Sequence, residues 1–319
     1  MKTIAVLTSG GDSPGMNACI RAITRAGIEK GLRVVGIKRG YQGLIEGEFI
    51  TLTKRSVGNI LHTGGTILKT SRCDEFLTNA GFNKALENIK RAQIDAVIVV
   101  GGDGSFKGAT KLAEAGINVI AIPGTIDNDL HYTDYTLGFD TCVNTITNLV
   151  NNIRDTSLSH ERITVVEVMG AECGDIALNV GAGVGADYII VPEVKFNIND
   201  LYYKLQNNYK DGKAYSIIIL SEACGSAPEV ANLITANTGL QARPLVVGHI
   251  QRGGAPSNAD RILALRFGNR AVEMLMEGKS GFALGILNNK ITEVVLQKAF
   301  VSKRKFDYDL YQISMNLSK

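Results

Sequence analysis

Short runs of β-branched and aliphatic residues recur along the first half of the chain, at 4–7, 34–37, 96–100 and 119–122, and each stops in glycine or polar residues. Stretches with apolar residues at helical spacing lie between them or beyond, as at 17–29, 105–114 and 140–154. The alternation predicts an α/β fold of βαβ units around parallel sheets. Unbroken apolar runs predict sheets covered on both faces. The pattern resumes at 163–168, 188–191, 216–220 and 245–247, with a further helix at 260–277. At 319 residues the chain exceeds what one hydrophobic core commonly sustains, so two packed units are expected, with a break near Phe139. Ligands of open parallel sheets bind beyond the carboxyl ends of the strands, which makes the residues after each run the candidates.

Composition narrows the chemistry. With 34 Lys and Arg against 31 Asp and Glu the net charge is only +3, too even for a chain whose main partner is nucleic acid. The 35 glycines exceed the usual ~7% and cluster after the apolar runs without a period, so they predict tight, backbone-exposing loops. Cys19, Cys73, Cys142, Cys173 and Cys224 are odd in number and lack CxxC pairing, which fits a reducing, cytoplasmic compartment. The run at 4–7 is too short for a secretory leader, and no segment approaches ~18 consecutive apolar residues, so neither export nor membrane insertion is expected.

Three loops at strand ends carry the candidate chemistry. The first, Thr8-Ser9-Gly10-Gly11-Asp12-Ser13-Pro14-Gly15-Met16-Asn17, can bring backbone N–H groups to an anion near a helix start, or can be a plain βα turn. It is neither a Walker A loop nor a G-x-G-x-x-G fingerprint, which argues against P-loop enzymes and Rossmann dehydrogenases. The second, Gly101-Gly102-Asp103-Gly104-Ser105, adds a carboxylate that can hold magnesium beside phosphate or can cap the following helix. The third, Pro123-Gly124-Thr125-Ile126-Asp127-Asn128-Asp129, places two acids at i and i+2 after a buried strand. Two such acids suit a proton acceptor for an attacking hydroxyl and a partner that supports geometry or metal.

Taken in order, these loops, together with Ile153-Arg154-Asp155-Thr156 and Gly248-His249-Ile250-Gln251-Arg252-Gly253-Gly254, resemble the bacterial-type ATP-dependent 6-phosphofructokinases over nearly the whole chain. The resemblance implies two Rossmann-like α/β/α lobes with mostly parallel sheets and the active site between them. The ATP lobe would span 1–138 plus about 251–300, and the smaller lobe for fructose 6-phosphate and effector 139–250 plus about 301–319. It also implies γ-phosphoryl transfer from ATP with Mg2+ to the 1-hydroxyl of fructose 6-phosphate, the committed step of glycolysis. Asp127 would be the general base, with Thr125, Asp129 and Arg72 completing the catalytic set. Gly11, Arg72, Cys73, Gly102, Asp103, Gly104 and Ser105 match positions around ATP, with Asp103 facing its metal. Arg162, Met169, Gly170, Ala171, Glu222, Arg243, His249 and Arg252, with Thr125 and Asp127, match the sugar site. Arg162 and Arg243 would come from a neighbouring subunit of a homotetramer. Pyrophosphate-dependent relatives typically carry Asp and Lys where this chain has Gly104 and Gly124, so ATP is the expected donor.

The chain departs from the family at two places. Ala171 stands where relatives usually carry an arginine on the phosphoryl groups, which implies a slow enzyme, or a nucleotide-binding relative impaired in catalysis. At the family's effector site Arg21, Arg25, Arg154, Gly185, Asp187 and Lys213 are present, but Lys54, Asp211 and Ala214 replace more basic residues. A carboxylate at Asp211 should repel the phosphates of ADP or phosphoenolpyruvate, so weak regulation is expected.

Overall fold

The computed structural model describes residues 1–299 and 305–318. In chain order the described strands are β1 (Thr3–Thr8), β2 (Arg33–Ile37), β3 (Phe49–Leu52), β4 (Ala96–Gly101), β5 (Asn118–Pro123), β6 (Ile163–Val168), β7 (Tyr188–Ile190), β8 (Ser216–Ser221), β9 (Ala242–Val246), β10 (Phe282–Leu287) and β11 (Lys290–Val295). The helices are α1 (Met16–Glu29), α2 (Gly40–Glu46), α3 (Asn79–Arg91), α4 (Asp103–Glu114), α5 (Phe139–Ser159), α6 (Asp175–Val184), α7 (Ile198–Lys210), α8 (Ala227–Thr238), α9 (Asn258–Met276) and α10 (Tyr308–Leu317). They divide into two units. One comprises Met1–Ile126, Leu130–Thr141 and the stretch that begins at Arg252; the other comprises Asp127–Asp129, Cys142–Gln251 and the C-terminal helix. The exchange expected at about 300–301 lies outside the described residues.

In the first unit seven strands lie in the order β11-β10-β5-β4-β1-β2-β3. The five inner strands are parallel, and β3 and β11 run antiparallel at the edges. Alternate residues of the apolar runs serve opposite faces, as the two-residue period of a strand requires. Ile4, Val6, Ile98, Val100, Ile120 and Ile122 pack with α1 and α9, whereas Ala5, Leu7, Val97, Val99, Val119 and Ala121 pack with α2, α3 and α4. Each buried aliphatic side chain contributes on the order of 1.5–3 kcal/mol, so the three layers follow from the runs themselves. The edge strands escape the apolar reading because β11 is half-exposed along its length. Its turn does carry a signal: Asn288 and Asn289 both have positive φ (48° and 60°), the two-residue hairpin geometry that asparagine tolerates.

In the second unit the order is β7-β8-β6-β9, all parallel. Ile163, Val165, Ile218 and Leu220 pack against Leu201 and Leu205 of α7 and Val230 and Ile234 of α8. The other face takes α6, and α10 lies on α6 and β7. The strand expected at 245–247 begins at Ala242 and ends at Val246. Arg243 and Pro244 interrupt its apolar pattern, and both are tolerated because β9 is an edge strand.

Asp260 ties the first turn of α9 to the start of α5. It is 1% exposed, and its oxygens accept from Gly138 N at 2.8 Å, Thr141 N at 2.9 Å and Thr141 Oγ1. Burial outweighs those bonds and, with the nearby charge of Asp140, pushes its carboxyl up to about 6. A folded-state value above the unfolded one means that its stabilising contribution is complete below about 4 and is lost as pH rises through the folded value. In urea titrations the stability of the wild type relative to Asp260→Asn should therefore rise by on the order of 1 kcal/mol between pH 7.5 and pH 5.

Candidate active site

In the first unit the carboxyl ends of β1, β4 and β5 bring the predicted loops side by side. Ser9 N donates to Val100 O at 3.0 Å and Gly124 N to Gly101 O at 2.9 Å, so the three strand ends are stitched through their backbones. A Cβ on Gly101 would lie 2.4 Å from Ser105 Oγ, and one on Gly11 would lie 2.1 Å from Arg252 Nη1. Glycine is required at Gly101, where a Cβ would also lie 2.6 Å from Ser9 O, whereas at Gly11 a Cβ would only displace the end of the Arg252 side chain. Arg252 also donates to Asp12 O at 3.3 Å, so this predicted sugar contact lies across the predicted nucleotide loop. Thr125 is buried, its Cβ lies 3.5 Å from where a Cβ on Gly102 would stand, and its carbonyl accepts from Thr136 Oγ1 at 2.7 Å.

The segment that carries Arg72 and Cys73 has no regular structure, and side chains hold it against the first loop. Thr8 Oγ1 donates to Lys69 O at 3.0 Å, and Thr70 Oγ1 donates to Gly10 O at 2.7 Å. Asn17 fixes the preceding stretch by donating to Thr63 and Gly64 and accepting from Ile67 N at 2.7 Å. Arg72 is exposed, and the Cys73 thiol donates to Gln42 Oε1 at 3.1 Å. Asn17, expected as the end of the first loop and the start of a helix, also builds the site by holding this second segment.

Asp103 is the first residue of α4, where the helix dipole favours an anion. It makes no cap: Gly102 holds that position without a side-chain bond, and the Asp103 carboxylate instead pairs with Lys107 at 2.7 Å, one turn on. Among the described residues no three His, Cys, Asp or Glu side chains gather to hold a metal. One carboxylate beside a phosphate-binding backbone still fits magnesium, which arrives with nucleotide phosphates and keeps several waters. The two glycines that bear on donor choice differ. Gly104 is exposed, with nothing within 4 Å of a Cβ, whereas a Cβ on Gly124 would lie 2.9 Å from Val100 Cγ1. Packing alone thus favours glycine at 124, and Gly104 is the position free to report the donor.

Asp127 and Asp129 belong to the second unit and are half-buried on either side of buried Asn128. Asn128 has a left-handed φ of 53°, and its amide donates to Asp175 Oδ2 at 2.9 Å. That bond fixes the residue between the two acids. The loop after β6 is held in a comparable way by three acceptors from three other segments. Met169 N donates to Gln251 Oε1 at 3.0 Å, Ala171 N to Glu222 Oε1 at 2.9 Å and Gly174 N to Glu193 Oε1 at 2.8 Å. Gly170 (φ 141°) and Ala171 (φ 52°) make the tight turn between them. Glu222 follows β8, and exposed His249 sits in the turn after β9.

Arg162 and Arg243 lie elsewhere in this unit. Arg162 precedes β6 and donates to Gln241 Oε1 at 3.0 Å, and Arg243 is the second residue of β9, paired with Thr164. Both are at the amino ends of strands, β6 leading at its carboxyl end to Met169, Gly170 and Ala171 and β9 to His249. A strand of this length separates its ends by roughly 20 Å. Within this unit Arg162 and Arg243 are therefore held apart from the 169–171 loop.

Of the predicted effector residues, four meet around the turn between α6 and β7. Buried Asp187 pairs with Lys213 and accepts from Ile217 N at 2.9 Å, while Arg154 donates to Val184 O beside Gly185, whose φ is 60°. Two of the cations are thus already partnered inside the chain. Asp211, Lys213 and Ala214 border an open depression with Leu158 and Tyr215. Arg21 and Arg25 share a face of α1 in the first unit, where burial and the neighbouring charge of Arg25 lower the Arg21 pKa.

Glycine and acid loops at the ends of parallel strands, a loose arginine in a stitched segment, and a second parallel sheet bearing acids and basic residues define an α/β phosphotransferase. The chain belongs to the phosphofructokinase family: the family model described as phosphofructokinase matches residues 3–275. The ATP-dependent 6-phosphofructokinase of Clostridium novyi (strain NT) is 53% identical over 318 residues, covering 100% of both chains. The enzyme of that name from Clostridium botulinum strain Hall is 52% identical over 319 residues, again covering 100% of both. Among solved structures, phosphofructokinase from Saccharomyces cerevisiae superposes with a TM-score of 0.88 at 33% identity over 99% of this chain. This chain spans 47% of that longer one. A pyrophosphate-dependent phosphofructokinase from Nitrosospira multiformis reaches a TM-score of 0.89 at 20% identity, covering 99% of this chain and 91% of its own, a likeness of fold alone. No described helix is long and apolar enough to cross a membrane.

Proposed function

We propose that this chain transfers the γ-phosphoryl group of ATP to the 1-hydroxyl of fructose 6-phosphate, giving fructose 1,6-bisphosphate and ADP in the cytoplasm. The observation that carries the reading is the pair of glycine and acid loops, 101–105 and 124–129, leaving the adjacent strands β4 and β5. The first cradles nucleotide phosphates with backbone N–H groups at the start of α4. Asp103, which pairs with Lys107 at the start of α4, would hold a magnesium ion bound with the nucleotide, and that ion would supply neutralisation of phosphate charge.

Asp127 accepts the proton of the sugar hydroxyl as oxygen attacks phosphorus, and the bond to the β-phosphate oxygen breaks. Thr125 and Asp129 shape the same loop, and Arg72 spreads its guanidinium over the transferring group. Gly11, Cys73, Gly102, Gly104 and Ser105 surround the nucleotide. Met169, Gly170, Ala171, Glu222, His249 and Arg252 take the sugar phosphate. Arg162 and Arg243 serve the site of a neighbouring copy, a reading supported by their place at the far ends of the strands, so the working enzyme is an oligomer, a homotetramer in this reading. Arg154, Asp187 and Lys213, with Arg21, Arg25, Gly185 and Asp211, form a nucleotide or phosphoenolpyruvate site weakened by internal pairing.

A steady-state assay with fructose 6-phosphate and either ATP or pyrophosphate, with and without ADP, tests the proposal. Turnover is expected with ATP, none above background with pyrophosphate, and a sugar saturation curve that ADP shifts by less than about twofold. Turnover with pyrophosphate alone overturns the donor assignment, and none with either donor overturns the activity.

A further inference from the structure

The loop after β6 is suspended from three side-chain acceptors, and only two of them, Glu222 and Gln251, come from segments that the sequence reading singled out. The third is Glu193, in the connection between β7 and α7. Its Oε1 accepts from Gly174 N at 2.8 Å, at the N-cap of α6. Its Oε2 is shut off from solvent and has no hydrogen-bond partner among the described residues. The carboxylate occupies the space that Gly174 leaves open, since a Cβ there would lie 2.4 Å from Oε2 and 2.6 Å from Val191 Cβ. Glycine and acid are therefore fitted to each other. Burial, followed by the charge of Asp175, pushes the Cys173 thiol up to about 12, and the charge of Glu193 adds to the rise.

Glu193 is itself held. Tyr308, the first residue of α10, donates its hydroxyl to Glu193 O at 3.2 Å. Farther along the same helix Tyr311 donates to Ile189 O at 3.3 Å, and beyond its end Ser318 donates to Asp187 O at 3.3 Å. These hydroxyls reach backbone carbonyls along and beside β7, an edge strand with β8 as its single strand neighbour. The C-terminal helix thereby covers that edge and sets the position from which Glu193 reaches Gly174.

We infer that Glu193 is a positioning residue for fructose 6-phosphate: it fixes the 169–175 loop through Gly174, and Tyr308 fixes it in turn. The inference rests on the assignment of that loop to the sugar. Losing this carboxylate acceptor leaves Gly174 N without its partner and lets the turn relax. A small displacement of a positioning loop can cost up to ~10²-fold. The effect should fall on the sugar and spare the nucleotide.

The test uses the full-length protein and compares Glu193→Ala, Glu193→Gln and Tyr308→Phe with Glu222→Gln. In Glu193→Ala the KM for fructose 6-phosphate should rise about tenfold, with the KM for ATP within twofold, and amide exchange across 169–175 should quicken by a similar factor. Glutamine keeps an oxygen acceptor and should recover most of both. Tyr308→Phe should move both the same way by about twofold to threefold. If Glu222→Gln raises the sugar KM while Glu193→Ala leaves sugar KM and loop exchange at wild-type values, the role of Glu193 is wrong and the sugar assignment stands. If neither raises the sugar KM, the assignment of the loop falls, and the inference with it. Parallel losses for sugar and ATP, with a lowered Tm and no recovery by glutamine or lesser effect of Tyr308→Phe, identify Glu193 as merely structural.

Discussion

Replacing Asp127 by serine should lower kcat with fructose 6-phosphate and ATP by about 10³–10⁴-fold, the upper range for removal of a general base. Both KM values should stay within a few-fold, because serine keeps the backbone and removes only the proton acceptor. The loop should survive the change. Ile126 is fully buried, Asn128 is fixed by its bond to Asp175, and the Thr125 carbonyl is held by Thr136, none of which uses the Asp127 side chain in the bonds named. Thermal unfolding measured alongside separates loss of the base from loss of the fold. Activity within tenfold of wild type would mean that another group takes the proton.

The fold was legible where burial is two-sided. Continuous apolar runs at 4–7, 96–100, 119–122, 163–168 and 216–220 became the central strands, because a strand covered on both faces has no polar positions to dilute the pattern. The one-sided elements were legible only in part. Strands β3 and β11 lie at sheet edges, β9 begins with Arg243 and Pro244, and α7 buries only Leu201 and Leu205 of its thirteen residues. The strand-end loops could be read because glycine and aspartate at such places have few other uses. What supports the loops could not be read. Nothing around Glu193 marks it as a partner of Gly174 some twenty residues earlier; the link exists only because β7 returns beside the start of α6. Nor could the sequence separate the two donor glycines, since the contact that favours glycine at 124 comes from Val100 on the neighbouring strand.

Replacing Ala171 by arginine should raise kcat by about 10-fold to 10²-fold, up to the lower end of the ~10²–10³-fold that removing one donor from a transition state costs. The position can take the side chain. Ala171 is exposed, its backbone already has a φ of 52°, and arginine adds no Cβ that alanine lacks, so the strain of that conformation is unchanged. Its N–H is committed to Glu222 Oε1 at 2.9 Å, which aims the loop whatever side chain it carries. Glu222 also supplies the competing outcome. An arginine that folds back onto this carboxylate would form a surface ion pair of little value and draw Glu222 from the sugar contact proposed for it, raising the fructose 6-phosphate KM without raising kcat. Ala171→Lys separates the two. A lysine can pair with Glu222 as a point charge but cannot grip two phosphoryl oxygens at once, so a gain in kcat with arginine well above that with lysine assigns the effect to transition-state binding. Equal sugar KM increases with both, at wild-type kcat, would show that Ala171 is compatible with full turnover and that Arg72 already supplies the positive charge the reaction needs.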